Sequence, residues 1–181
     1  MQYPKNVTLT QETYDNATHS IWLLDNLIKE GYYIYDKEYI TMCLAFIDRV
    51  KEYNTDEKVV NGINIITNFI NGNYTFAESI LTACNKALAD ISADYNPVAS
   101  AVFHTLKGII YSFEGRNNFL GIPTYDAAKH TANNCIYAIS QVNISLDQCN
   151  IIRKILGDKI TFPVKTVIKP EPTKVPVKIE N

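Results

Sequence analysis

Three histidines and four cysteines are the side chains best suited to chemistry, and their spacing limits what they can do. No two of the histidines (His19, His104 and His130) stand at the i, i+4 separation of a helical metal pair. The four cysteines occur singly in apolar stretches, without a Cys-x-x-Cys pair, at Cys43, Cys84, Cys135 and Cys149. This pattern predicts no metal site, no cofactor and no catalytic residue.

A nucleophilic cysteine needs a neighbouring base, and the sequence offers none along the same helix. Cys135 and His130 are five positions apart, so their side chains point in different directions on a helix. We therefore expect buried, reduced thiols and a cytoplasmic protein, because no signal peptide is recognisable at the N-terminus.

Asp126, His130 and Asn134 recur at intervals of four and form one polar stripe on a predicted helix. The stripe could bind a partner or ligand, with Asp126 orienting His130, or it could be an ordinary solvated helix face. The preceding segment, residues 115–123, is the longest irregular stretch inside the predicted domain. Its Arg116 is a further candidate binding residue, although many such segments only span distance.

Tyrosines are concentrated in the connector between the first two predicted helices and at the start of the second, at Tyr32, Tyr33, Tyr35 and Tyr39. Such rings suit a protein interface or stacking on a ligand. The alternative is that they pack the two helices together. The four tyrosines are therefore candidates for contact with a partner or ligand.

Charge and hydropathy exclude two classes of partner. The net charge is −2 and only 3 of the 17 basic residues are arginine, namely Arg49, Arg116 and Arg153. Neither nucleic acid nor an anionic membrane would be attracted by such a chain. No apolar run approaches 18 residues, so no transmembrane helix is expected.

The elements that must position these side chains are predicted to be α-helices throughout. Start signals include Asp36, the Asn96-Pro97 pair, Thr124 and a capping box beginning at Ser145. Predicted helices cover about 13–29, 36–53, 55–70, 75–91, 97–114, 124–138 and 145–157.

The fold class is therefore all-α, a bundle of six or seven helices. An N-terminal arm (1–12) precedes the bundle domain (13–160). A flexible or extended Pro/Lys-rich tail (161–181) follows, and four of the seven prolines lie in its last 19 residues.

A set of mostly helix-packing residues recurs with a distinctive spacing between residues 43 and 160, namely Cys43, Asp56-Glu57, Gly62-Ile63, Phe69, Gly72, Ala83, Ala87, Ala89, His130, Tyr137-Ala138, Asp147-Gln148 and Leu156. In these positions the chain resembles a family of bacterial immunity proteins of polymorphic toxin systems, with an all-helical, immunity-protein-five-like domain. Lys58-Val59-Val60 stands where the family has Arg-Pro-Arg. The resemblance implies an all-helical fold and a role in neutralising a toxin.

Three functions remain open from the sequence. The first is a non-enzymatic binding protein that occludes a protein partner in the manner of an immunity protein. A homo-oligomer is compatible with this function. The second is a phage or bacterial accessory protein that sequesters a small, nucleotide-like ligand between helices or subunits. The third is an enzyme that uses His130 or His104, for which the sequence shows no partner group.

Overall fold

The computed structural model describes residues 7–53, 56–72, 77–91, 96–113, 122–139 and 143–162, and these residues form helices without any β-strand. The prediction of an all-α fold is confirmed. The α-helices are α1 (Gln11–Asp15), α2 (Ser20–Lys29), α3 (Asp36–Asp48), α4 (Glu57–Ile70), α5 (Ala77–Ile91), α6 (Pro97–Phe113), α7 (Ile122–Ala138) and α8 (Ile144–Leu156). Within the described ranges, no helix has the length and apolar character needed to span a membrane.

Helix α3 lies at the centre of the bundle. It packs against α4, α6, α7 and α8, and its Met42, Phe46 and Ile47 are completely buried. Helices α6 and α7 form the most extensive helix pair, while α4 and α5 pack on α6 and α2 packs on α8. The bundle thus surrounds α3 on several sides, which explains why apolar residues occupy more than one face of that helix.

The prediction of one continuous first helix, 13–29, is wrong, because a non-helical segment separates α1, which ends at Asp15, from α2, which begins at Ser20. Thr10 and Thr13 form a capping box for the short α1. Arg153 of α8 donates to the carbonyl oxygens of Tyr14 (2.7 Å) and Ala17 (3.3 Å). A remote guanidinium thus satisfies carbonyls that a continuous helix would have satisfied internally.

Two predicted caps are also wrong. Tyr35 occupies the N-cap of α3, and Asp36 is instead the first helical residue. Helix α7 begins at Ile122, two residues before Thr124. The Asp36 carboxylate accepts hydrogen bonds from Ser112 on α6 (3.1 Å) and from Thr124 on α7. Asp36 therefore joins three helices.

Helix α8 begins earlier than the predicted capping box. Asn143 caps the helix, and its side chain accepts a hydrogen bond from the Leu146 amide. The helix ends at Gly157, as predicted, and the φ angle of this glycine is 49°. The Ser145 hydroxyl instead accepts from the Ser20 amide (3.0 Å). Gln148 is fully buried, accepts from the Ser20 hydroxyl (2.5 Å) and donates to the Ala132 carbonyl (3.0 Å), linking α2, α7 and α8.

Two other helix ends differ in detail from the predicted spans. The second predicted helix, 36–53, ends at Asp48, and a separate 3₁₀ turn covers Lys51–Tyr53. Helix α4 is capped by Asp56, whose carboxylate accepts from the Lys58 amide (2.8 Å). The start of α6 agrees with the prediction, because Asn96 accepts from the Val98 amide (2.8 Å) ahead of Pro97.

The packed part of the chain extends slightly beyond 13–160 at both ends. Leu9 is buried, and the Phe162 ring contacts the rings of Tyr14 (centroids 5.4 Å apart) and Tyr32 (5.6 Å). The rest of the predicted tail, 163–181, lies outside the described residues.

Candidate functional site

A pair of buried threonines holds α6 and α7 in register. The Thr105 and Thr131 hydroxyls are hydrogen-bonded to each other (3.0 Å), and their oxygens lie 2.9 and 3.3 Å from the Ala101 carbonyl oxygen. Each threonine follows a histidine in the sequence. Consequently the contact between the threonines inside the bundle brings His104 and His130 together on the adjoining, more exposed side of the helix pair.

The two histidine rings are stacked. Their centroids lie 4.5 Å apart and their planes differ by 16°, while the Phe103 ring meets His104 edge-on at 5.3 Å. His104 is partly buried and His130 is exposed. Two helices therefore present a preformed aromatic pair at the surface.

The stacked rings open onto a cavity of about 260 Å³ between α6 and α7, here called the histidine cleft. Its seven lining residues combine imidazole, phenol, ammonium and carboxylate groups with two small residues, and they are His104, Lys107, Gly108, Tyr111, Asp126, Ala127 and His130. The Lys107 ammonium lies 5.6 Å from the centroid of the Tyr111 ring. The cleft thus offers donors, acceptors and ring surfaces to a bound group.

His104 is electrically neutral at physiological pH. Desolvation by burial, reinforced by the nearby His130 and Lys107, lowers the pKa of His104 from 6.5 to about 4. A neutral imidazole has one nitrogen that donates and one that accepts a hydrogen bond. His104 is consequently a bifunctional hydrogen-bonding group, but a poor proton acceptor for general base catalysis near pH 7.

The stack does not suit a shared metal ion. Nitrogen lone pairs lie in the plane of an imidazole ring, so those of two nearly parallel rings do not converge on one point. Among the residues that the structure describes, no group of three or more His, Cys, Asp or Glu side chains is placed to hold a metal.

The predicted polar stripe is only partly brought together. Asp126 and His130 both line the histidine cleft, whereas Asn134 is not among the lining residues. In the described part of the chain, no hydrogen bond joins Asp126 to His130. The role of Asp126 in orienting His130 therefore stays a prediction.

The sequence-based set of binding residues omitted His104, Lys107 and Tyr111. These three recur at helical intervals on one side of α6. That spacing could have identified them as a common face of the helix. What the sequence could not reveal is that α7 places His130 opposite them. Arg116, the remaining candidate, lies outside the described residues.

The predicted tyrosine cluster divides into buried and exposed rings. Tyr39 is 2% exposed and meets the Tyr125 ring edge-on at 5.9 Å. Tyr32 is partly buried, and its hydroxyl donates to the Thr161 carbonyl (3.3 Å). Tyr33 and Tyr35 are 72% and 57% exposed. Only these last two rings are widely accessible to a partner.

The connector between α2 and α3 explains this division. Its last residue, Tyr35, has an extended backbone, and successive side chains of an extended chain point to opposite sides. Ile34 is buried, while Tyr33 and Tyr35 lie outside with their ring centroids 4.8 Å apart in an edge-to-face contact. The Lys159 ammonium is 6.0 Å from the Tyr35 ring centroid. We call the Tyr33–Tyr35 pair the tyrosine surface.

The four thiols are structural. All four cysteines are free and buried, as predicted. Burial raises the pKa of Cys43 and Cys84 to about 11 and that of Cys149 to about 12. Burial likewise raises the pKa of Cys135. The thiols consequently stay protonated at neutral pH, and none is a reactive thiolate.

Comparison of the chain with protein-family models, with curated proteins and with solved structures gave no match.

Proposed function

We propose that this is a non-enzymatic binding protein that occludes a protein partner through the tyrosine surface, in the manner of the immunity proteins its sequence resembles. The observation that carries the proposal is the exposed Tyr33–Tyr35 pair, fixed in edge-to-face contact on a short connector. Tyrosine is among the residues enriched at binding hot spots, and its few rotatable bonds keep the entropic cost of ordering low.

The connector is held in place by Ile34 and by the first residues of α3, which favours recognition by a preformed surface. Ile34 is buried between the two exposed rings, and Tyr35 is the N-cap of α3. Next to it, Asp36 is hydrogen-bonded to Ser112 and Thr124. A surface that is already ordered before binding loses less freedom in the complex.

The chemistry of the remaining candidates favours binding over catalysis. The thiols are buried and protonated, and His104 is a weak base because burial lowers its pKa to about 4. Buried reduced thiols also fit a cytoplasmic location. In this proposal the protein belongs to a bacterial or phage defence system, and its partner is a toxin.

Co-expression with the protein encoded beside this gene tests the proposal. The wild-type chain should bind that protein in a pull-down and restore growth of cells that produce it. The double variant Tyr33→Ala/Tyr35→Ala should lose at least about tenfold in affinity, or about 1.4 kcal/mol. Tyr137→Ala is a matched control, since this α7 tyrosine is 70% exposed and lies outside the tyrosine surface.

Two results would contradict the proposal. One is full binding by the double variant. The other is a neighbouring protein that neither binds this chain nor harms cells. Light scattering provides a further check, because a homodimer that the double variant dissociates would assign the tyrosine surface to self-association.

A further inference from the structure

The histidine cleft combines recognition groups that the tyrosine surface does not use. Asp126 is exposed and forms no hydrogen bond or ion pair with another described residue. An ionised carboxylate only accepts hydrogen bonds. The cleft therefore has an acceptor suited to N–H groups of a ligand.

Lys107 supplies the opposite polarity. Its ammonium only donates hydrogen bonds, and it lines the same cleft as Asp126. With His104 neutral, the Lys107 and Asp126 charges offset one another. A phosphate group would meet one cation with a carboxylate nearby, whereas an uncharged ligand bearing both N–H and carbonyl groups could satisfy both residues.

The volume of the histidine cleft limits the size of the ligand. The cavity of about 260 Å³ falls just below the range of roughly 300–1,000 Å³ that is typical of sites for drug-sized molecules. Gly108 and Ala127, which have minimal side chains, line the cleft together with the rings of Tyr111 and His130. Such a space suits one fused-ring system better than a dinucleotide.

We propose that the histidine cleft binds a planar nitrogen heterocycle of the guanine type, as a free base or nucleoside. The ring lies against the aromatic groups of Tyr111 and His130. Asp126 accepts hydrogen bonds from adjacent N–H groups on the ring edge, and Lys107 donates to the ring carbonyl. This site does not depend on the partner proposed for the tyrosine surface.

Titration of the full-length protein with guanosine, followed by NMR of the histidine ring protons, tests the site. Saturable shifts are expected for His104 and His130, with a dissociation constant below about 1 mM. The His19 ring is an internal control, because it lines a separate groove near α1 and α2. Adenosine should bind at least about tenfold more weakly, since adenine has an acceptor nitrogen and an amino group where guanine has an N–H and a carbonyl.

Matched variants assign the contacts. Asp126→Ala should weaken guanosine binding at least about tenfold. Asn134→Ala, which changes the same helix outside the cleft, should leave binding unchanged. Circular dichroism should show that both variants keep the helical fold, because Asp126 is exposed and Asn134 only partly buried.

Three outcomes would overturn the assignment. The first is the absence of saturable shifts with any nucleoside. The second is guanosine monophosphate binding more than tenfold tighter than guanosine, which would make phosphate the recognised group. The third is a cleft whose histidines shift only on addition of a protein partner, which would make it part of a protein interface. These results can be interpreted whether or not the Tyr33→Ala/Tyr35→Ala variant loses partner binding, because that variant changes no residue that lines the histidine cleft.

Discussion

His104 and His130 stack face to face, with ring centroids 4.5 Å apart, although they lie on different helices. The pair forms because Thr105 and Thr131, the next residue on each helix, are hydrogen-bonded inside the bundle. A packing contact in the core thus determines the geometry of a group at the surface.

Burial of His104 should make the stability of the fold depend on pH. Burial lowers the pKa of His104 to about 4 from its usual 6.5, so between these values the unfolded chain binds a proton that the folded chain does not. The contribution of neutral His104 is fully present above pH 6.5 and is lost as the pH falls towards 4. Urea unfolding across this range should give a shallower pH dependence for His104→Phe than for the wild type.

His19→Gln is the control for this experiment, since His19 lies at the N-cap of α2, outside the stack. Equal pH dependence in the wild type and His104→Phe would show that burial does not lower the pKa of His104.

A glycine on α4 allows close packing against α6. A Cβ atom at Gly62 would lie 2.5 Å from Val102 Cγ1 and 3.1 Å from Ile91 Cδ1, and both side chains are buried. Gly62→Ala should therefore reduce the free energy of unfolding by about 1–3 kcal/mol, despite the better helix propensity of alanine. The exposed neighbour Asn61→Ala should change it by less than about 0.5 kcal/mol. A stabilised Gly62→Ala variant would contradict this packing.

The buried amide of Gln148 links three helices. Replacing it with methionine keeps the length of the side chain but removes the hydrogen bonds that Gln148 makes with the Ser20 hydroxyl and the Ala132 carbonyl. Gln148→Met should lower the free energy of unfolding by about 1–3 kcal/mol. Gln11→Met is the matched control, because Gln11 is exposed and bonds only to Asp15 among the described residues. Equal effects of the two substitutions would contradict the structural role of Gln148.

The four thiols should be unreactive in the folded protein. Each is buried and has a raised pKa, so a thiol reagent should modify none of them rapidly in buffer and all of them in denaturant. Tyr137→Cys, at a 70% exposed position, should add one rapidly reacting thiol. Fast modification of an original cysteine in the native wild type would contradict its burial.

The sequence predicted those features that depend on local signals. Asn96-Pro97 and Gly157 mark the start of α6 and the end of α8 because caps involve neighbouring residues. The break between α1 and α2 could not be predicted in this way, since Arg153 contacts the chain there from α8. Ser145 looked like a cap but bonds instead to Ser20, more than a hundred residues away.

The candidate sites also combine features that local sequence predicts with features that depend on contacts between distant residues. Asp126 and His130 were predicted as neighbours because they share one face of α7, whereas His104 joins them only through the packing of α6 on α7. Within the tyrosine cluster, the sequence did not distinguish Tyr39, which is buried under Tyr125, from Tyr33, which is exposed. Burial is decided by the neighbouring helices, and these come from distant parts of the chain.

Hydrogen–deuterium exchange of the chain, alone and with the protein encoded beside its gene, tests the central claim most directly. If the tyrosine surface is the recognition site, amides of residues 31–39 should become strongly protected in the complex, and those of 104–111 should change little. Protection that avoids 31–39 while the complex remains intact would contradict partner recognition by Tyr33 and Tyr35.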